Sequence, residues 1–155
     1  VVVQLSQHFS LDELTVTSTG KPNTPIGAEL ENLFALAEFL EQVRFELGHS
    51  VIISSGYRSP AVNNIVGGSK SSAHLKGLAA DFVCPGFGTP KEICIALIDA
   101  GLKWDQLILE YKDNSHNKGG DWVHIGLRHD GERQMVMTRL TGGRYVPGLH
   151  GMENT

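Results

Sequence analysis

Only two cysteines, Cys84 and Cys94, occur among the 155 residues, too few for a disulfide framework. Their spacing matches no zinc ribbon or finger, so they read as two free buried thiols, with a single pairing as the alternative. Basic charge is also scarce. Thirteen Lys and Arg stand against seventeen Asp and Glu, for a net charge of -4. The cations are scattered, with no run to track phosphates, so no nucleic-acid-binding surface is expected. No stretch approaches the ~20 apolar residues of a membrane span, and repeats and low-complexity tracts are absent. The start, Val1-Val2-Val3-Gln4, is too short for a signal-peptide h-region. A mature or trimmed chain is expected, or one that reaches its substrate without the usual secretion signal.

What is present suits one domain over 1–155 with a single core. Hydrophobic residues make up 41% and charged residues 19%, ordinary for a globular chain. Ser10, as N-cap, and Glu13 form the two ends of a capping box, which predicts a short capped helix in the segment 9–14. A polar loop follows over 15–25, then an amphipathic helix over 28–47 stopped by Gly48. Leu30, Leu33, Phe34, Ala37, Leu40, Val43, Phe45 and Leu47 are its expected core stripe. A buried strand is predicted over 51–54. Pro60 opens a helix through Val66, ended by Gly67-Gly68. A second strand spans 78–83, and a helix over 91–100 points Ile93, Leu97 and Ile98 inward. Three strand candidates follow at 106–109, 122–126 and 134–137, with a polar loop over 113–120. Helices precede the strand cluster without strict alternation, so the fold class is α+β, a mostly antiparallel sheet with helices packed on one side. The core runs from about 9 to 138, and the Gly-rich tail, 139–155, is expected to be irregular.

Two segments carry chemistry. Ser72-Ala73-His74-Leu75-Lys76-Gly77-Leu78-Ala79-Ala80-Asp81 and Asp121-Trp122-Val123-His124 supply two imidazoles and a carboxylate, with a further carboxylate three residues before the second imidazole. Gly77 and the strand pattern after it argue against one helix carrying both His74 and Asp81. A loop turning at Gly77 brings the start of the strand back beside His74, with Asp81 on one sheet face and Phe82 on the other. His124, mid-strand, completes a possible N, O, N set. Three protein ligands with a fourth position open suit a catalytic zinc, whereas structural zinc is usually closed by four. Singly, each has an ordinary explanation: a surface or capping His74, an Asp81 paired with Arg58 because a buried lone carboxylate is costly, a hydrogen-bonded core His124. The joint pattern favours the metal.

Ser54-Ser55-Gly56-Tyr57-Arg58-Ser59, then Gly67 through His74 to Asp81, then Trp122-Val123-His124, resembles the zinc D-alanyl-D-alanine carboxypeptidase family. These are peptidoglycan peptidases of bacteria and bacteriophages, related in fold to the hedgehog signalling domain. The resemblance runs from about Phe9 to Met137, and its Ser-x-His-x-x-Gly-x-Ala-x-Asp motif is specific. The opening Phe9-Ser10-Leu11-Asp12-Glu13-Leu14 looks like compact phage and prophage members. The resemblance implies one zinc per chain on His74, Asp81 and His124, with Asp121 as catalytic base. It gives Arg58 to binding or polarising the substrate and places Ser72 near the scissile end. Many relatives carry Glu where this chain has Asp121, one methylene shorter, so the carboxylate retreats by about 1.5 Å.

The implied partner is the peptidoglycan stem peptide, and a monomer is expected. The implied place of action is the bacterial wall or periplasm, reached by a phage lysin, a virion-associated peptidase or a wall-maintenance enzyme. Glu110 and His116 stand next in line as bases. Glu110 also reads as an exposed carboxylate or a brace for a ligand imidazole, and His116 as solvent-exposed. Trp122 shares a strand face with His124 and either walls the site or packs in the core; Tyr57 poses the same choice. The alternatives to an enzyme are a non-catalytic zinc-binding module, which the shortened Asp121 would suit, and a phage structural protein that keeps the fold.

Overall fold

A computed structural model of the chain describes residues 1–152, so the last three residues of the predicted tail lie outside the described residues. Helix α1, Leu11–Leu14, begins at the expected capping box: the Glu13 N–H donates to Ser10 Oγ, and the Ser10 N–H donates to Glu13 Oε1, both at 3.1 Å. Helix α2 spans Ala28–Leu47 and ends at left-handed Gly48. Leu33, Leu36, Ala37, Leu40, Val43 and Leu47 are buried along it. The expected stripe is corrected at two positions, since Phe34 is 45% and Phe45 82% exposed. At 3.6 residues per turn they point roughly 120–140° round from Leu40, while Leu36 and Phe39 take their places.

Strand β1, Ile52–Ser55, leads into helix α3, Pro60–Ile65, which Ser59 caps and Pro60 opens. A 3-10 turn, Ala73–Lys76, was expected only as loop; Ser72 caps it and left-handed Gly77 closes it. Strand β2 follows over Ala79–Val83. Helix α4, Pro90–Ala100, starts at a Thr89–Glu92 capping box and stops at Gly101. Ile93, Cys94 and Leu97 are buried, but Ile98 is exposed, which corrects its inward assignment. Cys84 and Cys94 are free and buried, as read from the sequence.

Strands β3 (Gln106–Glu110), β4 (Trp122–Gly126), β5 (Met135–Arg139) and β6 (Tyr145–Pro147) complete a six-stranded sheet of order β1-β2-β4-β3-β5-β6. The class is α+β with a mostly antiparallel sheet, as expected. Strand β3 pairs antiparallel with β4 and parallel with β5, and β5 pairs antiparallel with β6. Strand β6 overturns the expectation of an irregular tail. Gly142 and Gly143, both at positive φ, lie in the three-residue loop that returns the chain along β5, closed by the Leu140 N–H donating to the Arg144 carbonyl at 2.8 Å. Helix α4 packs on β3 and β4.

Two compact units divide the chain: Val1–Gln42 with Ile53–Asp81, and Val43–Ile52 with the residues from Phe82 onward. In the first, the Asn23 amide donates to the carbonyls of Thr15 (2.9 Å) and Tyr57 (2.8 Å), while its oxygen accepts the Ser59 N–H at 2.7 Å. In the second, Asp105 is gripped by the Arg133 fork, Nε to Oδ1 at 2.8 Å and NH2 to Oδ2 at 2.9 Å. Among the described residues, no helix is long and apolar enough to cross a membrane.

Candidate metal centre

His74 sits in the 3-10 turn because both ends of that turn are fixed. Ser72 Oγ accepts the His74 N–H at 3.2 Å, and Gly77 at φ 73° turns the chain into β2. A side chain at Gly77 would do more than strain the backbone, since its Cβ would lie 2.6 Å from the Glu29 carbonyl oxygen. The turn is therefore seated against α2, and four residues later β2 presents Asp81. His74 Nε2 and Asp81 Oδ1 stand 3.3 Å apart, which is the approach that a turn at Gly77 predicts.

The tautomer of His74 follows from its other nitrogen. Nδ1 lies 2.7 Å from the Gly56 carbonyl oxygen, which only accepts, so Nδ1 carries the hydrogen. In the neutral ring Nε2 then turns its lone pair toward Asp81 Oδ1. An imidazole nitrogen and a carboxylate oxygen held this close are both donors that a metal ion takes. His124 supplies a third donor. His74, Asp81 and His124 are all buried, and their ligand atoms lie within 4.8 Å of one another. Two imidazole nitrogens and one carboxylate oxygen are a donor set that would suit zinc.

The segment after β1 frames both residues of this pair. The Gly56 carbonyl orients the His74 ring, the Arg58 N–H donates to the His74 carbonyl at 3.0 Å, and Ser54 Oγ donates to the Asp81 carbonyl at 3.2 Å. The Arg58 guanidinium donates to Asp81 Oδ2 at 3.2 Å, to Ser55 Oγ at 2.9 Å and to Asn63 Oδ1 at 3.4 Å. The pairing of Arg58 with Asp81 and the metal-ligand geometry, weighed as rivals in the sequence, are thus present together. Sequence reasoning missed Ser55 and Asn63 as partners of Arg58. A signal existed only for Asn63, which lies in the helix that Pro60 opens and so comes back toward Arg58.

Tyr57 is buried at 6% exposure, and burial is the main cause that pushes its phenol above the usual value, with Glu29 adding to it. It packs in the core. Trp122 is half-buried, and its indole Nε1 is buried without a hydrogen-bond partner. The register pairs Ile108 with His124 and Glu110 with Trp122, so Glu110, Trp122 and His124 share a face of the β3–β4 pair while Val123 and Ile125 take the other. His116 is exposed.

Asp121 precedes β4, and the preceding loop holds its carboxylate. Oδ2 accepts the Lys112 N–H at 2.9 Å and Oδ1 accepts the Asn117 amide at 2.5 Å. Burial is the largest single influence and pushes its pKa up. The bonds from Ser115, Lys112 and Asn117, with the Lys112 charge, together outweigh it, so the group stays below the ordinary carboxylate range.

A family model described as Peptidase M15 matches residues 7–116. The matched span contains Arg58, His74, Asp81 and Glu110 and stops short of Asp121, Trp122 and His124. No curated protein matches the chain.

Proposed function

This chain belongs to the peptidase M15 family, and we propose that it cleaves peptide bonds in the stem peptides or cross-links of bacterial peptidoglycan with one zinc ion. The observation that carries the reading is the buried set of His74, Asp81 and His124, three ligand atoms within 4.8 Å of one another. Zinc bound there supplies Lewis acidity at the scissile carbonyl and a water activated for attack near neutral pH. The chain's own residues do the rest. Gly56 fixes the His74 tautomer, and the Ser72 cap and Gly77 turn set the ring's position. Asp121, three residues before His124, is the proposed base. It takes the attacking water's proton and hands it to the amine released when the amide C–N bond breaks. Ser72 and Trp122 are the proposed neighbours of the substrate. The opening Phe9-Ser10-Leu11-Asp12-Glu13-Leu14 favours a phage or prophage wall-lytic enzyme, and a monomer is the proposed state for a small acidic domain.

One observation favours a second reading, a metal-binding module without turnover. Asp121 is held by loop donors and kept below the usual carboxylate range, which makes it a weaker base than one poised near the working pH. Glu110, on the His124 face, is the alternative proton carrier within the first reading.

The deciding experiment digests purified peptidoglycan with the protein, with and without a chelator, and weighs the fragments. New peptide ends that vanish on chelation and return with zinc support the peptidase. Loss of one alanine identifies a carboxypeptidase, and separated stems or split dimers an endopeptidase. Bound zinc with no new ends across several wall types supports the module instead. Asp121→Ala should keep zinc and lose turnover. Survival of turnover there, with its loss in Glu110→Gln, moves the base to Glu110.

A further inference from the structure

We infer that Arg58 acts through Asp81, as the positioning residue that assigns one carboxylate oxygen to the metal and the other to itself. The inference rests on the zinc reading above. Asp81 has two oxygens with different company: Oδ1 faces His74 Nε2 at 3.3 Å, and Oδ2 accepts Arg58 NH2 at 3.2 Å. A carboxylate braced in this way presents a single oxygen to the ion, and braces of this kind orient metal ligands.

The guanidinium is itself built in. Its Nε donates to Ser55 Oγ at 2.9 Å and its NH1 to Asn63 Oδ1 at 3.4 Å. Asn63 is buried and anchored in turn, its amide donating to the Ser69 carbonyl at 3.0 Å. The floor of this cradle is Gly68. A Cβ there would lie 2.0 Å from Asn63 Oδ1 and 3.0 Å from Arg58 NH1, so any larger residue pushes Asn63 aside and crowds the arginine it holds. A side chain meant to swing onto an incoming substrate does not need three fixed partners and a glycine held open beneath it. A brace does, because orientation depends on the planar fork being held still.

The sign of one effect separates the two roles. A guanidinium repels a nearby zinc ion, so on charge alone its removal tightens zinc binding. If Arg58 orients Asp81, its removal weakens zinc binding. The test measures zinc affinity by competition with a chromophoric chelator, a readout independent of turnover. Arg58→Gln should weaken zinc about 10–100-fold. In an Asp81→Asn background the same change should cost less than about 3-fold, because the two residues act as one unit. Gly68→Ala should reproduce part of the loss while touching neither metal nor substrate, and Arg58→Lys should fall between wild type and Arg58→Gln. These two variants carry the test if Arg58→Gln fails to fold.

Unchanged or tighter zinc in Arg58→Gln, with only kcat/KM reduced, overturns the inference and returns Arg58 to the substrate. So does an equal loss in both backgrounds, or unchanged zinc in Gly68→Ala. A wild-type chain that takes up no zinc overturns the metallopeptidase reading first, and so is distinguishable from failure of this inference alone.

Discussion

Gly77→Ala and Gly101→Ala impose the same backbone demand in different surroundings. Both glycines close a helical segment at φ 73°, and a non-glycine residue in that left-handed region costs about 1–2 kcal/mol. Nothing lies within 4 Å of a Cβ built at Gly101, whereas one at Gly77 meets the Glu29 carbonyl oxygen at 2.6 Å and Leu33 Cγ at 3.3 Å. The carbonyl belongs to the first turn of α2, so relief requires backbone movement. Overpacking of this kind adds about 1–3 kcal/mol. Gly101→Ala should therefore cost about 1–2 kcal/mol and Gly77→Ala about 2–5 kcal/mol. Urea unfolding in the presence of a chelator, followed by far-UV circular dichroism, measures both. A zinc titration then reads the local consequence. Gly77 stands between His74 and Asp81, so Gly77→Ala should also weaken zinc binding, and Gly101→Ala should leave it unchanged. Equal destabilisation in the two variants, or unaltered zinc affinity in Gly77→Ala, refutes the reasoning.

Two further outcomes are expected. The Arg133 fork holds the Asp105 carboxyl below the ordinary range, outweighing burial. Its contribution to stability is full above the unfolded carboxylate value near ~4 and falls away as pH drops through the lower folded value. Urea midpoints measured from about pH 5 downward should fall more steeply for wild type than for Asp105→Asn, and matching slopes contradict the assignment. Burial pushes the Cys94 thiol up to about 12 and also raises that of Cys84. A thiol reagent at pH 8 should thus label neither cysteine in the folded chain and both in denaturant, and rapid native labelling would contradict this.

The features legible in the sequence are those with local causes. The Ser10–Glu13 box, the Pro60 start, the Gly48 and Gly101 stops and the Gly77 turn each depend on one or two residues acting within a few positions. The proximity of His74 and Asp81 was legible for the same reason. The tail hairpin was missed because Gly142-Gly143 was read as irregular rather than as the turn between two strands. The orientation of Phe34 and Phe45 was not legible, since apolar spacing alone does not fix which edge of a stripe is covered. Nor was the loop's hold on Asp121. Asn117 meets it through a turn whose path no short-range pattern specifies.

The Leu14 carbonyl, at the end of α1, accepts the Tyr57 N–H at 2.7 Å, and a Cβ at Gly56 would sit 2.4 Å from that same oxygen. Gly56 and Arg58 are the residues that hold His74 and Asp81. An N-terminal helix of four residues, carrying no ligand itself, thus sets the height at which this scaffold stands. The smallest piece that keeps His74 and Asp81 in place is accordingly larger than the span between them. Minimisation or domain grafting that begins at the histidine motif would transplant the donors and leave their alignment behind.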